Sequence, residues 1–127
     1  MDANEFLRLY RSGQKTFAHV VMVGVELNNV DLHKVDLSHA LMNKANLAGA
    51  KLCRANLVGT DLSYANLSDA DLHRANLRHA NLKGADLRRT DLRDADLRGA
   101  NLSWANLQGA LFAGALMTNT NLDNAKK

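Results

Sequence analysis

Proline is absent from this 127-residue chain, cysteine occurs once, as Cys53, and aromatic residues make up only 5%. With one cysteine no internal disulfide can form, which excludes a disulfide-stapled secreted scaffold and points to a reducing, cytoplasmic setting. A dominant charge is lacking too: 16 Lys and Arg against 13 Asp and Glu leave a formal charge of +3. That is well short of the dense basic patch of a dedicated nucleic-acid binder. No stretch approaches the roughly 18 apolar residues of a membrane span, and Met1 to Leu9 lack the basic-then-apolar order of a signal peptide, so no membrane contact is expected.

Catalytic signatures are missing as well. The sequence holds no GxxxxGK[ST] or GxGxxG phosphate loop, no GxSxG elbow and no HExxH pair. No nucleophile stands with a base, and no cofactor motif is present. The expectation is a non-enzyme without cofactor or metal.

What is present is a strict period of five. Of 8 glycines, 7 have numbers of the form 5k+4, from Gly24 to Gly114, and only Gly13 does not. Every fifth residue from Phe17 to Leu122 is Leu, Met or Phe, which makes 22 positions without an exception. Two places before these, from Val20 onward, stands Ala, Val or Thr, and the residue between is usually Asn or Asp.

Neither regular structure accommodates that period. A helix turns about 100° per residue, so a step of five smears the leucines over all its faces. A flat strand sends successive leucines to opposite faces, because its side chains alternate. The chain must therefore change direction once per repeat, with Ala and Leu pointing inward, Asn or Asp outward, and a corner where Gly recurs. Gly tolerates positive φ without steric cost, and Asn and Asp at other corners are the next most tolerant.

The runs AlaAsnLeuArgHis, AlaAsnLeuLysGly, AlaAspLeuArgArg and ThrAspLeuArgAsp over residues 75–94 resemble the A(D/N)LXX signature of the pentapeptide-repeat family. The resemblance extends from Phe17 to Ala125 with no insertion. It implies an all-β fold, the right-handed quadrilateral β-helix with four repeats per coil, and hence about five coils here. Residues i and i+20 then become neighbours.

A solenoid exposes its core at both ends and needs caps. Residues 1–15 supply one. Asp2 or Asn4 can cap a short amphipathic helix carrying Phe6, Leu7, Leu9 and Tyr10 and ending near Gly13. This opening resembles the helical leader of many cyanobacterial family members, and residues 16–127 form the solenoid. The leader helix or an irregular turn is expected to cover part of Val21, Val23 and Leu41, which are apolar at outward positions. At the other end Leu111 and Leu116 replace Asn or Asp near Phe112 and Met117. An apolar group at a solenoid end suggests an interface, and the family resemblance implies a homodimer through the C-terminal coil. The alternative is that residues 123–127 fold back over the end.

Three further groups are candidates. His33, Cys53 and His73 share a column and could in principle ligate zinc or copper, as could the stacked pair His19 and His39, although solvated surface side chains are the plainer reading. Arg54, Arg74, Arg78, Lys83, Arg88, Arg89, Arg93 and Arg98 make a basic belt, interleaved with Asp69, Asp71, Asp86, Asp91, Asp94 and Asp96 and so expected to be largely self-neutralised. Tyr64 and Trp104 lie in one corner column and form a second candidate contact surface. The functional expectation is a non-catalytic scaffold binding an unidentified protein partner. The alternatives are a mimic of duplex DNA directed at DNA gyrase, as fluoroquinolone-resistance members are, or weak nucleic-acid binding by the belt. The mild positive charge argues against the first and the interleaved Asp against the second.

Overall fold

Every residue other than proline brings one backbone N–H that needs an acceptor, so each repeat here brings five. The computed structural model, which describes residues 1–127, pairs all five in the central coils. In the repeat from Asp71 to Ala75, Asp71 donates to the Ala50 carbonyl one coil back (2.9 Å) and Leu72 to Asp91 one coil on (2.8 Å). Arg74 donates to Arg93 (3.0 Å), and Ala75 closes the corner on Leu72 (3.0 Å). The fifth N–H, that of His73, goes to the Asp71 side chain at 3.0 Å. The same side-chain bond recurs wherever Asn or Asp holds this place from Asp31 to Asn121, and is missing at Leu41, Lys51, Leu111 and Leu116. This accounts for Asn and Asp at the outward place: their carbonyl or carboxylate oxygen accepts the one N–H that the coil cannot.

Parallel bridges join each of these outward residues to its counterpart twenty residues on, from Thr16 with Asp36 to Asn106 with Lys126. With a corner every five residues the coil is four-sided. The extended pieces expected from the sequence amount to one bridged residue per side, too short to be continuous strands. At every corner from His19 to Asn124, φ lies in the left-handed region. The expectation that Gly, Asn and Asp suit these corners is correct but too narrow. Tyr64 (φ 58°), Arg74 (φ 60°) and Trp104 (φ 63°) adopt the same conformation, although a side chain there costs of the order of 1 kcal/mol or more. Gly84 shows a second use of glycine. A Cβ there would stand 2.5 Å from the Tyr64 ring, which leans across it from the preceding coil.

The leucines fill the axis. From Leu27 to Leu102 each is at most 1% exposed, and each stacks between its neighbours one coil away. Thr60 and Thr90 are also fully buried, in places where Ala is the rule. Their hydroxyls donate to the Leu37 and Leu67 carbonyls at 2.8 Å, and Thr120 does the same to Leu97 at 2.7 Å. Replacing Thr60 by Val removes one such bond and keeps the shape. Because the Leu37 carbonyl retains the Ala40 N–H at 3.1 Å, the expected loss is about 1 kcal/mol, read from the denaturant midpoint.

Helix α1 spans Ala3–Arg11. Asp2 is its N-cap, accepting the Glu5 N–H at 2.8 Å, and Ser12 its C-cap, just before the predicted stop at Gly13. Phe6 is fully buried, with its ring 4.5 Å from that of Phe17, the first axial residue. Tyr10 donates its hydroxyl to the His33 carbonyl at 3.2 Å and carries the Lys15 ammonium 3.7 Å over its ring. The helix thus plugs the end of the axis and does not shield the first coil's side. Contrary to expectation, Val21 and Val23 remain 55% and 54% exposed and Leu41 44%. No helix is long and apolar enough to cross a membrane.

Candidate interaction surfaces

The two ends of the solenoid differ sharply. At the C-terminal end residues 123–127 do not fold back. Lys126 stays in register, bridged to Asn106, and its carbonyl accepts the Leu107 N–H at 2.6 Å. The axial side chains of Phe112, Met117 and Leu122 are therefore only half-buried. With Leu107, Gly109, Ala110 and Lys127 they line an open cavity of about 400 Å³. One coil earlier, Leu92, Asp94, Leu97, Gly99 and Leu102 donate their N–H groups to the last coil. The equivalent N–H groups of Phe112, Gly114, Met117, Asn119 and Leu122 have no acceptor. At the rim stand Leu111 and Leu116, 50% and 49% exposed. Neither can accept the fifth N–H, so those of Ala113 and Thr118 are unpaired as well.

Tyr64 and Trp104 are 57% and 63% exposed on their shared corner, the Tyr64 ring lying over Gly84. They do not stack on each other.

The basic belt does not form one surface. Successive repeats lie on successive sides, so Arg78 and Arg98 occupy one side, Lys83 the next, Arg88 and Arg89 the third, and Arg54, Arg74 and Arg93 the fourth. Half of the belt is tied down. Arg88, Arg93 and Arg98 fork onto Asp86, Asp91 and Asp96 two residues before, with Nη2 to Oδ2 distances of 2.6, 2.8 and 2.7 Å. Arg89 reaches Asp69 one coil back at 2.8 Å. Hydrogen bonds from these guanidinium groups hold all four carboxyls below their ordinary range, against a smaller upward push from desolvation. Arg54, Arg74, Arg78 and Lys83 take part in no ion pair.

The histidine columns assemble no ligand set. His33 Nδ1 is 2.8 Å from Asp31, and His73 Nε2 faces Asp94 at 3.7 Å. Nowhere do three His, Cys, Asp or Glu side chains converge on a point that could hold a metal ion. His19 and His39 stack with ring centres 5.2 Å apart and planes 14° apart.

With the repeat geometry in view, comparison with known proteins is decisive for the family. The family described as "Pentapeptide repeats" matches in eight copies that together run from residue 16 to residue 126. The chain belongs to the pentapeptide-repeat family. No curated protein matches it. Among solved structures, a pentapeptide-repeat protein of the Arabidopsis thaliana thylakoid lumen is 32% identical over 74% of this chain, with a TM-score of 0.73. This chain spans 66% of that protein's length. The pentapeptide-repeat protein Rfr23 of the cyanobacterium Cyanothece 51142 is 30% identical over 97% of this chain and 92% of its own, with a TM-score of 0.60. QnrB1, a plasmid-mediated fluoroquinolone resistance protein, shares the fold at 17% identity over 87% of this chain and 66% of its own, with a TM-score of 0.51.

Proposed function

We propose that this pentapeptide-repeat protein is a non-catalytic scaffold, a right-handed rod that works in a reducing cytoplasmic compartment. Its outward side chains bind protein, and its C-terminal coil joins a second copy. The observation that carries the reading is the asymmetry of the ends. One end of the axis is closed by α1 with Phe6 fully buried, while the other leaves Phe112, Met117 and Leu122 half-exposed beside unpaired backbone N–H groups. Such an edge is a template for pairing with another chain, and an apolar rim favours removal from water. A second copy brings the same apolar end and, in its Ala110, Ala115 and Thr120 carbonyls, which accept no N–H from a further coil, the acceptors these donors lack. The cavity at the C-terminal end is lined mainly by apolar side chains, which supports a binding role there over a catalytic one. A gyrase-directed mimic of DNA would need an acidic surface, whereas this chain carries a formal +3.

Light scattering behind size exclusion tests the dimer. The unaltered protein should run at twice its chain mass and Leu111→Asp, Leu116→Asp at one, still folded by circular dichroism, because these side chains are outside the core and Asp at this place can accept the free Ala113 and Thr118 N–H groups. A monomer at every soluble concentration would overturn the dimer. Capture from native lysate on the same two proteins tests the scaffold, and a partner set lost only in the variant would assign the end to that partner as well.

A further inference from the structure

The chain's own ion pairs show which of its arginines lack a carboxylate. Where a repeat has Arg two residues after Asp, as in Asp86-Leu87-Arg88, Asp91-Leu92-Arg93 and Asp96-Leu97-Arg98, the guanidinium forks onto both carboxylate oxygens. Arg78 stands at the same place but follows Asn76. The amide oxygen of Asn76 accepts the Arg78 backbone N–H at 3.2 Å, and its nitrogen cannot accept, so no fork forms. At the corner place Arg89 forks onto Asp69, one coil before it, with bonds of 2.8 and 3.0 Å. For Arg74 the residue one coil before is Arg54, and for Arg54 it is Lys34. A column of three cations replaces the acid.

These groups lie together. Lys34, Arg54 and Arg74 run up one corner at coil spacings of about 4.8 Å, and Arg78 is on the side that begins at that corner. All four are exposed. The carboxylates around them pair with none of the four cations, and Asp71, three residues before Arg74, accepts only the His73 N–H at 3.0 Å. Asp36 accepts the N–H and hydroxyl of Ser38, and Asp96 is forked by Arg98. Asp94 follows Arg74 in the column, but it leans over Gly114 on the next coil and faces His73.

From this we infer that the side bounded by Lys34, Arg54, Arg74 and Arg78 docks an Asp- or Glu-rich segment of a protein partner, whose carboxylates complete the forks that the repeat itself leaves open. The inference rests on the scaffold reading and names the chemistry of its partner. A planar fork is matched by the two oxygens of a carboxylate, and charge-assisted bonds of this kind are the strong ones. A peptide is narrow enough to follow one corner. A nucleic acid is broader and would bring phosphates against Asp71 and Asp91 on the adjoining side and Asp94 at the corner itself.

The test measures fluorescence anisotropy of a labelled oligoglutamate peptide and of a labelled DNA duplex of equal charge, each against three proteins. These are the unaltered chain, Arg54→Gln with Arg74→Gln and Arg78→Gln, and Lys83→Gln with Arg88→Gln and Arg89→Gln. The two variants lose the same formal charge, and thermal melting verifies that both fold. The expected result is peptide binding that falls about tenfold or more in the first variant and less than about twofold in the second. Equal losses would reduce the effect to net charge, tighter binding of the duplex would make the partner a nucleic acid, and no peptide binding would remove the site. Each of these overturns the inference. The dimer and lysate assays leave Arg54, Arg74 and Arg78 unaltered, so their success alongside failure here sinks this inference alone.

Discussion

Replacing Leu72 by Lys is expected to abolish the single cooperative thermal transition of the rod. Leu72 is fully buried, with Leu52 and Leu92, also fully buried, one coil to either side. Removing its apolar side chain forfeits about 1.5–3 kcal/mol of burial. The ammonium adds the larger penalty, since no buried acceptor faces the axis at that level and an unpaired charge in an apolar interior costs several kcal/mol. A solenoid coil is stabilised only by its neighbours, so a break in the middle creates two new open ends. Circular dichroism should then show a lower, broader melt, and hydrogen exchange should show protection lost first at the amides of residues 52–92. An unchanged melting curve would sink the account of the core.

The second large effect is expected at the N-terminal plug. Phe6→Ala removes the ring that contacts Phe17 at 4.5 Å and should cost about 3–5 kcal/mol, in the range for a buried aromatic. Its signature is local. Loss of the ring loosens α1, and with it the Tyr10 bond to His33 and the bond from the Met1 amine to the Val21 carbonyl at 3.3 Å. Amide protection should fall in the first two coils while the coils beyond Leu72 keep theirs. Uniform loss along the rod would mean that α1 stabilises the whole solenoid and is not an end cap.

The axis was legible in the sequence because every axial position obeys one rule, and a period of five is incompatible with a helix or a flat strand. The corners were legible through Gly and the period, which already put Tyr64 and Trp104 there, although the tolerance of residue types was read too narrowly: left-handed backbone is imposed by the coil, whatever the side chain. The outward positions were least legible. That Asn and Asp accept the fifth N–H follows only once the other four are placed. That Val21 and Val23 stay exposed depends on where α1 sits, and that Arg88 is clasped while Arg78 is not depends on a single Asp-to-Asn difference two residues upstream. The belt looked continuous along the chain because linear order conceals the quarter turn between repeats.

That quarter turn has an evolutionary corollary. The hydrogen-bond pattern of one repeat is indifferent to which side it occupies, so deleting or duplicating a single repeat leaves every core position in frame. It would nevertheless rotate everything downstream by one side relative to everything upstream. Lys34 and Arg54 would then no longer share a ridge with Arg74 if the event fell between them, and Leu111 and Leu116 would face a new direction. Binding surfaces on such a rod can therefore be reshuffled like the rings of a combination lock, by changes in length that the interior does not register.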